Sequence, residues 1–402
     1  MSALQRTILV SGLFLIVGTP VSVFAASDCD ARARSLEEIY RRILPSKPEK
    51  DATQASQSLF ILLKQAVSRK RIPGGTISFA EGSGAVNWMG HGTLSKSSSR
   101  KVSETTLYDL ASLTKVVSTA TSIHLLKEQG KIDLAATVSD YLPEFRNTGL
   151  GPVPISSLLR HRGGTVDIAV PRTADPGVNR RNYFAELKKK GFSPPLFSTG
   201  NFHYTDAAYV LLGEVVERVS GQPINDFAEA QIFGPLGMRH TRFKPGQNSV
   251  CSRTIAGTRP CIVHDPIARS FGGVSGNAGL FSTARDLAKF ARMILDHGQA
   301  EDSSGQRFQF LSQNSVQAMS SDPAHLEHRR GMGFDIDSPF ACAPRGRFPQ
   351  SSFGHTGYTG TSLWIDPSSR RFIVLLTNEV EIGKGPIDAI RWHAGNIVSR
   401  YR

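Results

Sequence analysis

The chain has 402 residues, 40% of them hydrophobic and 20% charged, which excludes a fibrous or intrinsically disordered polypeptide and allows one large domain or two. Its formal charge of +13 favours anionic surroundings such as envelope polymers, phospholipid surfaces or carboxylate substrates. The basic residues are scattered and no nucleic-acid-binding motif accompanies them, so no nucleic-acid partner is expected.

Arg6 precedes a mostly apolar run from Ile8 to Phe24, and Val23-Phe24-Ala25 places small residues where a signal peptidase reads. Residues 1–25 are therefore expected to be a signal peptide, released by cleavage after Ala25 or Ala26, with the mature protein periplasmic. Glycine, serine, threonine and proline interrupt the run, which argues against a retained anchor. No later stretch is long and apolar enough to span a bilayer. A polar leader over 26–57 follows, broken by Pro45 and Pro48, and residues 58–402 form the main domain.

Leu59, Leu62, Leu63, Ala66 and Val67 share one face of a helix over 59–68. Ile72-Pro73-Gly74-Gly75 then turns the chain into strands near Thr76–Phe79 and Ala85–Gly92. Leu113, Val116, Val117, Ala120, Ile123 and Leu126 recur at helical spacing, and Gly130 closes that helix. From about 134 to 279 the pattern is helical and irregular, with helices near 154–160, 207–220 and 225–232. Another amphipathic helix spans 285–297. Ser362–Ile365 and Phe372–Leu376 flank Asp366-Pro367-Ser368-Ser369 as a hairpin, and a last helix runs from Pro386 to about Tyr401. The expected fold is α+β: an antiparallel sheet built from both chain ends and flanked by helices, with a mainly helical region inserted over 134–279.

Cys29, Cys251, Cys261 and Cys342 allow three pairings in an exported protein. Cys251 and Cys261 would staple a short basic loop, leaving Cys29 with Cys342. Their spacing matches no common zinc pattern.

Ser112 and Lys115 lie three residues apart at the start of the 113–130 helix, on one helical face. A serine becomes a nucleophile when a neighbouring base takes its proton, and a lysine is that base only where its surroundings leave it uncharged. Free N–H groups in a first helical turn also suit a developing oxyanion. A second Ser-x-x-Lys, Ser98 to Lys101, sits in a polar serine-rich stretch and lacks the apolar periodicity. The spacing at Ser112 equally fits a core helix with a capping serine and a solvated lysine.

Four ordered stretches decide between these readings. They are Thr106-Leu107-Tyr108-Asp109-Leu110-Ala111-Ser112-Leu113-Thr114-Lys115, then Tyr204-Thr205-Asp206, then Gly272 to Thr283 preceded by Val263-His264-Asp265, and His355-Thr356-Gly357-Tyr358-Thr359-Gly360. Together they resemble the serine β-lactamase and penicillin-binding family, in particular class C β-lactamases, D-alanyl-D-alanine carboxypeptidases and related esterases. The resemblance implies Ser112 as nucleophile and either Lys115 or Tyr204 as its base. It implies His355, Thr356 and Gly357 as the substrate edge, with the Ser112 and Tyr358 amides as oxyanion donors. Asp206, His264, Asp265 and Asn277 stand behind them, His264 and Asp265 as a conceivable proton-relay pair. Three departures stand out. His355 replaces the lysine of β-lactamases and removes a permanent charge. Asn277 stands where a subgroup of relatives often has histidine. His161-Arg162-Gly163-Gly164 replaces His-Thr-Ser-Gly.

The expectation is an exported serine hydrolase that forms an acyl-enzyme and needs no metal or organic cofactor. Its expected substrate is a peptidoglycan-derived peptide ending in D-alanine, with β-lactam or ester hydrolysis and muramoyl-L-alanine amide cleavage as rivals. A penicillin-binding sensor that never turns over is the non-enzymatic alternative. The oligomeric state is left open.

Overall fold

Asp51 accepts the Gln54 amide and so caps the helix Ala52–Ser68 (α1), which begins before the apolar spacing starts at Leu59. The computed structural model describes residues 35–36 and 48–401, apart from 171, 247, 256, 303, 323–326 and 384–386. The expected signal peptide lies outside the described residues, as does most of the leader.

After α1 come the strands β1 (Gly74–Glu81) and β2 (Asn87–Gly92). The strands β3 (Phe353–Gly357), β4 (Thr361–Asp366) and β5 (Arg371–Thr377) follow near the other end of the chain. They form one antiparallel sheet in the order β2-β1-β5-β4-β3. Ile77 faces Leu375 across the β1–β5 pair, so the centre of the sheet joins residues almost three hundred positions apart.

Alternation along the strands sends side chains to two cores. Ile77, Phe79, Ile373 and Leu375 pack with α1 and with the C-terminal helix Ile387–Arg400. Ala80, Val374 and Leu376 face the opposite way, into a larger core. That core takes in helix α2 (Thr121–Glu128), helix α3 (Asp206–Ser220), helix α4 (Ala284–Leu295) and much of the inserted region. The C-terminal helix (Ile387–Arg400) is α5 below.

The helix Gln313–Ser320 and the strand pair Gln299–Glu301 with Arg307–Gln309 are not expected from the sequence, and two further elements depart from it. The segment after Ser112 is not a regular α-helix: Lys115–Ala120 is wound as a π-helix before α2 begins. Such wide turns cluster at functional sites, and apolar spacing alone does not reveal them. Pro176–Lys190 is a helix that hydrophobic periodicity misses. It buries only a narrow stripe, Asn179, Tyr183 and Leu187, and its start is set by the Asp175 cap.

Cys251 and Cys261 are bonded, with Cα atoms 5.3 Å apart. Cys342 is also disulfide-bonded, while Cys29 lies outside the described residues. Among the described residues no helix is long and apolar enough to cross a membrane.

Candidate active site

The short strand Tyr108–Asp109 carries the chain towards Ser112, and Ala111 then adopts a left-handed backbone with φ of 46°. A side-chain-bearing residue takes that conformation only where its surroundings enforce it. Asp109 supplies part of that enforcement. Its buried carboxylate accepts the Ala111 amide at 2.9 Å and the His264 amide at 2.6 Å. Burial nevertheless pushes this carboxyl up to about 6. Two threonines past the end of β3 complete the clamp: Thr359 donates to the Asp109 carbonyl and Thr361 to the Leu110 carbonyl. A Cβ on Gly357 would stand 2.4 Å from the Leu110 carbonyl oxygen, so only glycine lets the two segments approach this closely.

The wide turn aims Lys115 back at Ser112. Lys115 is fully buried, and its ammonium donates to Ser112 Oγ at 3.0 Å, Asp206 Oδ1 at 2.6 Å and the Asn277 carbonyl at 3.1 Å. Three acceptors surround a group with three N–H donors, so the geometry is that of a charged lysine. Burial works against that charge, but the Asp206 carboxylate and the Tyr204 phenol outweigh it and hold the amine above its ordinary value. Lys115 therefore rests as an ammonium, which does not meet the condition under which a lysine would act as the base.

Tyr204 lies beside this pair, its ring centre 5.1 Å from Lys115 Nζ. His161 holds it there by stacking at 4.3 Å, while the His161 carbonyl accepts the His203 amide and its Nδ1 accepts the Thr205 amide. The altered Arg162 does not enter the cleft; it donates to the carbonyls of Gly200, Glu327 and His328 and ties those loops together.

Ser112, Tyr204, His264, Arg330, Phe340, His355, Thr356, Gly357 and Tyr358 line one cleft of about 650 Å³. His355 Nδ1 lies 2.8 Å from the Thr356 carbonyl, which can only accept. Nδ1 therefore carries the proton. Burial, then the Arg330 and Lys115 charges, lower this histidine well below its ordinary range, so it is neutral and presents a bare Nε2. The amides of Ser112 and Tyr358 have no hydrogen-bond partner among the described residues. Both are free to meet an oxyanion.

The remaining candidates are placed around this centre. Asn277 contributes its carbonyl to Lys115, and its side-chain amide donates to Asp265 Oδ1. Asp265 also caps a short helix through the Ala268 amide. His264 instead stacks on Tyr358 at 5.3 Å, and no hydrogen bond joins its ring to Asp265 among the described residues. The pair is thus not a relay but two separate supports. Arg330, buried at the back of the cleft, was not singled out by the sequence: beside Arg329 in a polar stretch it reads as a solvated surface charge.

Fold and cleft together define a serine hydrolase of the β-lactamase and penicillin-binding type. The chain belongs to the Beta-lactamase family, whose model matches residues 61–395. It is 32% identical over 314 residues to an Escherichia coli (strain K12) protein named "Putative D-alanyl-D-alanine carboxypeptidase", covering 69% of this chain and 70% of that one. A Salmonella typhi protein of the same name is 30% identical over 68% and 69% of the two chains. The fold is similar to a class C β-lactamase from Rhodobacter sphaeroides, with TM-score 0.64 and 18% identity over 85% of this chain and 98% of that one. It is also similar to a D-alanine carboxypeptidase from Burkholderia cenocepacia, with TM-score 0.64 and 19% identity over 87% and 99%.

Proposed function

We propose that the protein is an exported D-alanyl-D-alanine carboxypeptidase that trims peptidoglycan peptides through an acyl-enzyme on Ser112. The observation that carries the acyl-enzyme is Ser112 Oγ, 3.0 Å from a buried ammonium and flanked by free Ser112 and Tyr358 amides in an open cleft. The names of the Escherichia coli and Salmonella relatives support the peptide substrate. Arg6, the apolar run from Ile8 to Phe24 and the small residues before the expected cleavage point support export.

In this reading Ser112 Oγ attacks the carbonyl of the penultimate D-alanine while the Tyr204 oxygen takes its proton. Lys115 already uses its three donors, so it stabilises the negative charge on Tyr204 rather than accepting a proton. The two free amides hold the tetrahedral oxyanion, each worth about 3 kcal/mol in comparable sites. Breakage of the C–N bond expels D-alanine, and Tyr204 returns the proton to the leaving amine. Water, deprotonated by the same oxygen, then hydrolyses the ester and restores Ser112. Thr356 and Gly357 on β3 align the peptide as an added strand, with the neutral His355 ring behind them.

The test is digestion of a purified muropeptide ending in D-alanyl-D-alanine, with products read by mass. Release of one D-alanine by the wild type and none by Ser112→Ala is the expected result, with Tyr204→Phe slower by roughly 10²–10⁴-fold. Cleavage between muramic acid and L-alanine, or release that survives in Ser112→Ala, counts against it.

A further inference from the structure

Tyr204 is half-buried at the cleft wall, with rings and cations packed around it. His161 stacks on it at 4.3 Å, Phe340 tilts against it at 5.3 Å, and the His355 ring centre is 6.1 Å away. Lys115 lies 5.1 Å from the ring on one side, ion-paired with Asp206. On another side the Arg330 guanidinium lies 5.6 Å from the Tyr204 ring and 5.6 Å from that of Phe202.

Arg330 is only 1% exposed, so it is screened by protein rather than by water. Its Nη1 lies 3.2 Å from Asp335 Oδ2 in an ion pair, and none of its three nitrogens has a hydrogen-bond partner among the described residues. A charge buried with so few partners is costly for the fold. Its support is deliberate in the topology: residues 330 and 335 bridge each other, and Asp335 pairs through its backbone with Gly354 on β3. The arginine is thereby fixed to the strand that carries His355. Asp335 itself is held by the Ser338 amide and hydroxyl.

The imidazoles around Tyr204 supply no charge. His355 and His161 are both lowered well below their ordinary range by burial, then by Arg330 and Lys115. The lysine that β-lactamases carry at position 355 is absent here, so the fixed cation on this side of the phenol comes from another loop.

We infer that Arg330 is a positioning residue that acts through Tyr204, furnishing from behind the cleft the permanent positive field that favours negative charge on the phenol oxygen. Arg330 borders the cleft, but its guanidinium nitrogens are shielded from solvent, so its part in the reaction runs through the Tyr204 ring it packs against. This rests on Tyr204 being the proton acceptor. Asp335 is the counterweight: weakening Asp335 strengthens the field at Tyr204, and removing Arg330 abolishes it.

The test is the pH dependence of the rate at which benzylpenicillin acylates the full mature chain, for wild type, Arg330→Met, Arg330→Lys and Asp335→Asn, with thermal melts as the folding control. The acidic limb is expected to move up by about one pH unit in Arg330→Met and down in Asp335→Asn, with Arg330→Lys near wild type. Damage to the fold does not move two neighbouring variants in opposite directions. Limbs that stay put in folded variants, or that move the same way, overturn the inference. Should Arg330→Met not fold, a downward shift in Asp335→Asn with Arg330→Lys unshifted supports it, and no shift overturns it. A Tyr204→Phe protein with the wild-type rate and limb overturns the base assignment itself, a failure separable from that of Arg330.

Discussion

Lys115 shows how strongly one neighbour sets the chemistry of a side chain. The Asp206 carboxylate at 2.6 Å turns a buried amine, which desolvation alone would neutralise, into a fixed ammonium. Asp265 shows the reverse. Burial, and then the Asp206 charge, push its carboxyl up to about 6. The folded protein thus binds that proton more tightly than the unfolded chain does. The resulting cost is absent below about pH 4, grows as pH rises towards about 6, and is constant above. Asparagine keeps the acceptor for the Ala268 amide and has no charge to desolvate. Asp265→Asn should therefore gain stability over wild type between pH 4 and 6, reaching about 2 kcal/mol, as read from melts across that range. A difference that shrinks with rising pH contradicts this. At this scale the sequence was readable where chemistry and periodicity coincide, as at Ser112 and Lys115. It was opaque at Arg330, because nothing in His328-Arg329-Arg330-Gly331 separates a buried guanidinium from a solvated one.

Elements bring those residues together through close backbone approach. The 276–277 segment reaches Lys115 because Gly276 lies against helix α3, where a Cβ would meet the Tyr209 carbonyl oxygen at 2.1 Å. Thr119 of the π-helix donates to the Gly276 carbonyl at 2.7 Å and ties all three elements. Gly276→Ala should push the Asn277 carbonyl off Lys115, lowering stability by about 2 kcal/mol or more and slowing acylation. A melt and a penicillin-acylation rate that both match wild type refute this. The boundaries of α3 and α4 follow closely from their apolar stripes and caps. The π-winding does not, since the same residues at the same spacing satisfy a regular helix. The Pro176–Lys190 helix escapes for the opposite reason, having too narrow an apolar face to show a period.

Across the whole molecule, the cleft is assembled from the first third, the middle and the last quarter of the chain. The expectation of a sheet built from both ends rested on strand signals at the two termini, and the β1–β5 pairing meets it. What no local pattern shows is how α5 reaches the site. Its Arg391 donates to the carbonyls of Gly357 at 2.8 Å and Thr361 at 2.7 Å, on either side of the turn that offers the Tyr358 amide. Because α5 also covers one face of the sheet, a chain ending before Ile387 should lose its cooperative melt, as followed by circular dichroism. A sharp transition in that truncated chain argues against a shared core. The central claim is the covalent one, and it is tested most directly by incubating the mature protein and Ser112→Ala with benzylpenicillin and following intact mass. The account predicts a penicilloyl adduct on the wild type alone, mapping to the peptide that contains Ser112. An adduct that persists in Ser112→Ala, or a wild type that neither gains mass nor consumes the drug, would contradict it.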